Sequence, residues 1–125
     1  MTLARQRTGR RAEDLVAQRL AKAGWRLIER NARTRYGEID IVAAEGRSLV
    51  FVEVKAAREG SGPCPERPEL AVGWDKQRRL RRLAGAWLGQ RRPRAFADRI
   101  RFDVVGVTFG EDGDLLRYEH IRDAF

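Results

Sequence analysis

The sequence has almost no cysteine and no long apolar segment, and both absences limit what the protein can be. Its one cysteine, Cys64, cannot form a disulfide within the chain, which predicts a reducing, cytoplasmic setting. No apolar run approaches the length of a transmembrane helix or a signal-peptide core. No predicted helix combines a basic face with a bulky exposed apolar face, so we expect no membrane partner.

Lysine is also scarce, although the chain is strongly basic. Of its 26 Lys and Arg residues only Lys22, Lys55 and Lys76 are lysines, and 18 acidic residues leave a net charge of +8. The planar guanidinium of arginine suits phosphate groups, so nucleic acid, and DNA in particular, is the expected partner class. An arginine-rich codon usage in the source genome is the alternative explanation for the same composition.

The length of 125 residues and a hydrophobic content of 42% predict a single domain spanning residues 1–125. A flexible basic arm is expected over residues 1–8 and a flexible proline- and glycine-rich loop over residues 56–73. Apolar spacing predicts the following elements: helices over 9–23 and 75–90, strands over 25–30, 36–44, 49–55, 100–109 and 115–119, and a last helical turn over 120–125.

This order predicts an α/β fold with an αβββαβ core. The first three strands are joined by short turns and can form an antiparallel meander. The second helix then acts as a crossover that brings the strand over 100–109 parallel to the strand over 49–55. We therefore expect a mixed central sheet flanked by helices.

Acidic side chains lie within two strands that are otherwise rich in β-branched residues. Asp40 belongs to the first strand of a hairpin, and Glu53 and Lys55 share one face of the second. Ionised groups are costly in an apolar environment unless they are paired or bind a metal. Carboxylates on adjacent strands can share Mg²⁺ or Mn²⁺, with the backbone carbonyl of Val54 as a further ligand. Lys55 would then lie beside a metal-bound water or the scissile phosphate.

The segments GEID (Gly37 to Asp40) and FVEVK (Phe51 to Lys55), in this order of elements, resemble the PD-(D/E)XK nuclease superfamily with its restriction-endonuclease-like fold. More closely, the chain is similar to the uncharacterised bacterial YraN-like family, which is related to Holliday junction resolvases. Supporting positions are Glu13, Arg30-Asn31, Val72, Lys76 and the segment RFDVV from Arg101 to Val105. The chain departs from that family by having Ala12 before the helix-1 glutamate and Ala56-Ala57-Arg58 after the lysine.

The resemblance implies a metal-dependent nuclease that hydrolyses phosphodiester bonds in DNA, with branched or junction DNA as a candidate substrate. It implies catalytic roles for Asp40, Glu53 and Lys55, with Glu13 as an accessory acid near the metal. Contacts with the nucleic-acid backbone are expected from the following basic residues: Arg10, Arg11, Arg58, Lys76 and Arg79. A homodimer would suit cleavage of both strands of a duplex, but no segment of the sequence identifies an interface.

Each of these interpretations has an alternative. Asp40, Glu53 and Lys55 could form a buried structural ion pair, and Glu13 could only support the start of its helix. The whole chain could be a nucleic-acid-binding module without catalysis, or a protein-interaction factor. Other polar and aromatic residues are assigned structural roles: Asp103 pairs with Arg101 or a neighbouring strand, His120 lies on the surface, Trp25 and Trp87 lie in the core, and Trp74 alone could stack on a base.

Overall fold

The structure is a computed structural model that describes residues 3–60, 67–90 and 98–125. Its elements in chain order are α1 (Leu3–Lys22), β1 (Arg26–Thr34), β2 (Gly37–Glu45), β3 (Ser48–Arg58), a 3-10 turn (Pro68–Leu70), α2 (Trp74–Gln90), β4 (Arg99–Phe109) and β5 (Leu115–Ile121).

The five strands form one mixed sheet in the order β1-β2-β3-β4-β5. Pairs β1–β2 and β2–β3 are antiparallel, β3–β4 is parallel, and β5 runs antiparallel to β4. The crossover through α2 makes the β3–β4 pair possible, because parallel neighbours cannot be joined by a tight turn. The predicted α/β fold with an αβββαβ core and a mixed sheet flanked by helices is confirmed.

Apolar side chains cover both faces of the sheet and form two separate cores. On one face, Val16 and Leu20 of α1 pack with Trp25 and with side chains of β2, β3 and β4. On the other face, Leu83 and Trp87 of α2 pack against β2, β3 and β4. Trp25 and Trp87 are buried as predicted. Neither described helix is long and apolar enough to span a membrane.

The predicted flexible arm is wrong for residues 3–8, because α1 begins at Leu3. Alanine, arginine and glutamine are good helix formers, so propensity extends the helix beyond the apolar stripe that marks its packed part. The side chains of residues 3–7 are exposed, which explains why no hydrophobic periodicity marks them. Residues 1 and 2 lie outside the described residues. The predicted end of the helix is confirmed, since Gly24 follows it with a φ of +95°.

The predicted flexible loop over 56–73 is wrong at both ends. β3 continues to Arg58, and the 3-10 turn packs against β4. Within that turn the carboxylate of Glu69 is fully buried and accepts two hydrogen bonds of 2.8 Å from Arg117. A Cβ at Gly106 would lie 2.1 Å from Glu69 Oε1, so only glycine leaves room for this carboxylate. Residues 61–66, with Cys64, lie outside the described residues.

The predicted helical turn over 120–125 is also wrong at its start, because β5 extends through His120 to Ile121. His120 is not a free surface residue: its Nε2 lies 2.8 Å from Asp103 Oδ2, and its ring packs against Trp25 at 5.6 Å. Asp103 is structural as predicted. Its two carboxylate oxygens accept hydrogen bonds of 2.9 and 3.0 Å from Arg101.

Candidate metal and nucleic-acid site

The sheet opens at Asp40, where β2 and β3 stop pairing. Their ladder ends at the pair Ile41–Val52. Ile41 packs in the α1-side core and Ile39 in the α2-side core, so the alternation of the strand is broken between them. The Asp40 side chain replaces the missing backbone partner, because its Oδ2 accepts a hydrogen bond of 2.8 Å from Val54 N–H. The break therefore places a carboxylate between two separating strands.

A cavity of about 230 Å³ lies at this opening, between the sheet and α2. It is lined by Glu38, Asp40, Glu53, Lys55, Lys76, Arg79, Leu80 and Leu83. Five of the residues that the sequence predicts for the site are therefore brought together here. Asp40 and Glu53 point into the same cavity rather than to opposite faces of the sheet.

The two strand carboxylates lie close together. Burial and the neighbouring Glu53 carboxyl raise the pKa of Asp40 to about 8, against the opposing effects of Val54 N–H and Lys55. Among the described residues, neither carboxylate forms a direct salt bridge. A buried structural ion pair would need such a partner, so that alternative does not describe this geometry.

Lys55 stands beside the acids with its ammonium partly removed from water. Burial lowers the pKa of Lys55, and the nearby Lys76 lowers it further, while the charges of Glu53 and Asp40 oppose the shift. Lys76 reaches the cavity from the first turn of α2, as its helical spacing predicts. A lysine with a lowered pKa gives up its proton more readily than one in water, which suits a group that exchanges protons.

Glu13 of α1 lies next to this cavity, in a second cleft of about 770 Å³. Burial and the charge of Asp40 raise the pKa of Glu13 to about 7, although Arg30 opposes them. Glu13 does not lie in the first turn of α1, so the alternative that it supports the start of that helix is wrong. The cleft is lined by Arg5, Gln6, Gly9, Arg10, Glu13, Asp14, Arg30, Asn31 and Glu38. Glu38 lines both cavities and so joins them.

A third cleft, of about 330 Å³, adjoins the acid cavity through Arg79, which lines both. The cleft is lined by Tyr36, Asp75, Arg78, Arg79 and Arg82. Gly37 lets Arg79 approach, because a Cβ there would lie 3.1 Å from the guanidinium and the φ of +136° is unfavourable for other residues. Both clefts that adjoin the acid cavity are thus lined by arginines.

Three predicted residues line none of these clefts. The guanidinium of Arg11 lies over the Phe109 ring at 4.4 Å, and Arg58 donates a hydrogen bond of 2.8 Å to the Glu111 carbonyl. Val54 packs against the α1-side core, and the contact that it makes with Asp40 is through its N–H. The structure therefore places Arg10, Lys76 and Arg79 at the clefts, but not Arg11 or Arg58.

Residues 12–107 match the uncharacterised protein family UPF0102. The chain belongs to this family. A UPF0102 protein from Streptomyces griseus is 52% identical over 119 residues, which cover 95% of this chain and 96% of the relative. One from Rhodococcus opacus is 50% identical over 117 residues, or 94% of each chain. A third, from Geobacter metallireducens, is 42% identical over 126 residues, which cover 100% of this chain and 97% of the relative.

The site of this UPF0102 protein offers ligands of the kind that Mg²⁺ or Mn²⁺ prefers. Within the described ranges no cluster of three or more potential His, Cys, Asp or Glu ligands occurs, as a closed zinc site would require. Mg²⁺ instead needs only one or two protein carboxylates, because it retains waters and accepts phosphate oxygens from a substrate. Asp40 and Glu53 supply such a pair, and their mutual repulsion in a buried setting is relieved by a cation. The donor set therefore fits a hard divalent cation.

Three residues that were not predicted as site residues also line the cleft beside Glu13: Arg5, Arg30 and Asn31. A signal for Arg5 was present, since Arg5, Gly9 and Glu13 follow one another at intervals of four residues and lie on one helix face. The flexible arm that was expected over residues 1–8 hid this helical spacing. Arg30 was named only as part of a motif, and here it donates a hydrogen bond of 2.7 Å to Asp14.

Proposed function

We propose that this UPF0102 protein is a divalent-metal-dependent nuclease that hydrolyses phosphodiester bonds in DNA. One observation carries the proposal: two partly buried carboxylates without a salt-bridge partner in the described residues share a cavity with a lysine of lowered pKa. This combination agrees with the resemblance of GEID and FVEVK to the PD-(D/E)XK superfamily. Buried groups with perturbed pKa values in a cleft are candidates for catalysis.

Asp40 and Glu53 would hold Mg²⁺ or Mn²⁺, and the Val54 carbonyl is a further candidate ligand. The cation would supply Lewis-acid activation of water and charge stabilisation of the phosphate. The hydrogen bond from Val54 N–H fixes one oxygen of Asp40, so the carboxylate is oriented before any ligand arrives. Orientation of this kind lowers the entropic cost of binding.

Lys55 and Glu13 are the groups that would exchange protons or stabilise charge at the reacting phosphate. The lowered pKa of Lys55 lets it take a proton from an attacking water at a smaller free-energy cost than an exposed lysine. Glu13, with a pKa of about 7, can be protonated or ionised near neutral pH. It lies on the side of Asp40 that faces the arginine-lined cleft, where a leaving group could be protonated.

The two clefts that adjoin the acid cavity would hold the sugar–phosphate backbone. Arg5, Arg10 and Arg30 line one of them, and Arg78, Arg79 and Arg82 line the other. These contacts neutralise phosphates without reading bases, so binding should weaken steeply as salt increases. A duplex with two equivalent cleavage positions would suit a homodimer, which stays a prediction.

The test is cleavage of plasmid, flap and four-way-junction DNA with Mg²⁺ or Mn²⁺, by wild-type protein and by Lys55→Ala. Loss of a proton-transfer group should slow cleavage by at least about 100-fold. Lys22→Ala is the matched control, because it removes another of the three lysines from an exposed position at the end of α1. Lys22→Ala should cleave at the wild-type rate.

Metal binding is tested separately by calorimetric titration of Mn²⁺ into wild-type protein and into Asp40→Asn. Wild type should bind and Asp40→Asn should not. Salt-sensitive DNA binding without cleavage in any of these conditions would replace the nuclease with a nucleic-acid-binding module. Absence of both binding and cleavage would favour a protein-interaction factor and refute the proposal.

A further inference from the structure

Trp74 is exposed, whereas the other two tryptophans are buried. The side chains of Trp25 and Trp87 are 7% and 2% exposed, and Trp74 is 71% exposed. A tryptophan offers the largest apolar surface of any residue, and leaving it in water forgoes the free energy that burial would contribute. The position of Trp74 is therefore not explained by the core.

Trp74 is the first residue of α2. It shares one face of that helix with Arg78, four residues further on, and Arg78 lines the arginine cleft. Trp74 itself lines none of the three clefts, so its link to them is through Arg78 and not through the carboxylates.

The Trp74 indole differs from the Tyr36 ring in its contacts with the described residues. The Tyr36 ring has the guanidinium of Arg35 at 5.0 Å and that of Arg82 at 5.3 Å. Among the described residues no aromatic ring or guanidinium stacks on Trp74. Its π-face remains available to a flat ligand.

We propose that Trp74 is a stacking platform for an unpaired base, so that the substrate of this site carries single-stranded nucleotides next to the phosphates that the arginine cleft holds. This inference rests on the proposed function and specifies its substrate class. A base in a duplex is already stacked on both neighbours, whereas an unpaired base can lie on an aromatic ring. The platform does not depend on base identity, because every base has a π-face.

The surroundings favour nucleic acid over a protein as the ligand of Trp74. Lys76, Arg78 and Arg79 follow it on α2 and line the adjoining clefts. Alternating aromatic and basic groups along a groove are typical of surfaces that bind single strands, where the cations hold phosphates and the rings hold bases. A protein partner of this surface would need to be acidic and would not require the carboxylate cavity.

The experiment uses tryptophan fluorescence of the full chain in EDTA, so that binding is measured without cleavage. The probes are a single-stranded oligodeoxynucleotide of about 12 residues, a length within the usual site size, and a duplex of the same sequence. The single strand should quench tryptophan emission, because stacking brings a base onto the exposed indole. Trp74→Phe should show no quenching, since Trp25 and Trp87 are buried.

Affinity is measured in parallel by fluorescence anisotropy of labelled oligonucleotides. Trp74→Ala should bind the single strand roughly 5- to 150-fold more weakly, the loss that one stacked base accounts for. Its affinity for the duplex should be unchanged, and Trp74→Phe should recover most of the single-strand affinity. Leu116→Ala is the matched control, because Leu116 is a 55% exposed apolar residue that lies on β5 and not on α2.

The result that overturns the inference is single-strand binding with unchanged tryptophan emission, or an equal loss of single-strand and duplex affinity in Trp74→Ala. If DNA is still cleaved in that case, the proposed function stands without the platform. If wild-type protein binds neither probe at low salt, both proposals fail together. Lys55→Ala separates them further, because it should lose cleavage and keep the quenching by single-stranded DNA.

Discussion

Asp40 in β2 and Asp103 in β4 are two carboxylates of one sheet with opposite electrostatic environments. The pKa of Asp40 is raised to about 8, and the pKa of Asp103 is lowered to about 2. Asp103 is the more deeply buried of the two, with 1% of its surface exposed. Burial alone therefore does not account for the difference.

Hydrogen-bond donors account for the difference between the pKa values of Asp40 and Asp103. Burial raises the pKa of Asp103, but hydrogen bonds from His120 and Arg101 and from Asp123 N–H outweigh that effect. Asp40 receives one backbone hydrogen bond and faces a second carboxyl, that of Glu53. Asp103 pairs directly with a guanidinium and a histidine of its own chain, whereas no salt bridge to Asp40 occurs among the described residues. In our proposal, that difference separates a group that stabilises the fold from one that binds a ligand.

The largest expected effect is on stability. Asp103→Asn should lower the free energy of unfolding by about 3–5 kcal/mol, because it leaves the guanidinium of Arg101 buried without its counter-charge. Asp40→Asn, measured without metal, should leave stability unchanged or raise it, since it removes the free-energy cost of holding a proton on a carboxyl beside Glu53. Urea unfolding in EDTA measures both.

The double variant Arg101→Met with Asp103→Leu is the control for that prediction, because removing both charges should restore most of the lost stability. If Asp40→Asn were as destabilising as Asp103→Asn, the contrast between the two acids would be mistaken.

The second expected effect is stabilisation by metal. Mn²⁺ at a hundred times its dissociation constant should raise the free energy of unfolding by about 2.7 kcal/mol, because it binds the folded state alone. Thermal or urea unfolding with and without Mn²⁺ measures the gain. Asp40→Asn should lose it, since one of the two carboxylates is gone. Asp14→Asn, which removes an exposed acid of the neighbouring cleft, should keep it. Stabilisation of Asp40→Asn by Mn²⁺ would place the metal elsewhere.

The third effect is a dependence of stability on pH. Between pH 3.8 and about 8 the folded protein holds a proton on the Asp40 pair that the unfolded chain has released. Stability should therefore fall as pH rises through that range, by up to about 1.4 kcal/mol per pH unit. Asp103 has the opposite effect and at lower pH, because its contribution to stability is lost as pH falls from 3.8 to about 2.

Urea unfolding in EDTA at about pH 5 and about pH 7, in wild type and Asp40→Asn, isolates the Asp40 contribution from that of other titrating groups. The fall in the free energy of unfolding between the two pH values should be smaller in Asp40→Asn than in wild type. An equal fall in the two proteins would show that Asp40 is ionised throughout this range.

The sequence was sufficient to predict the acid site because its signals are local. Alternation along β3 places Glu53 and Lys55 on one face, and a short hairpin brings Asp40 beside them. For Asp103 the sequence predicted the partner Arg101 but not His120, and for Glu69 it predicted no partner. The partners that were not predicted come from distant elements of the chain. Glu69 meets Arg117 across 48 residues, and no local rule relates them. Gly106 within β4 was the available signal, since glycine inside a strand marks a close approach.

The smallest effects are expected at Glu38 and Glu45, the more exposed acids that accompany Asp40 and Asp103. Glu38 lines the acid cavity but is half exposed and pairs with Arg33 at 3.2 Å, and Glu45 pairs with Arg101 at 2.9 Å beside the solvent. Glu38→Gln and Glu45→Gln should each change stability by less than about 1 kcal/mol, because water replaces the lost interaction. Glu38→Gln should also weaken Mn²⁺ binding by less than about 10-fold in calorimetry, which corresponds to about 1.4 kcal/mol. Glu38 and Glu45 should therefore behave alike, although Asp40 and Asp103 differ. A loss of metal binding in Glu38→Gln as complete as in Asp40→Asn would make Glu38 a ligand and extend the site to three carboxylates.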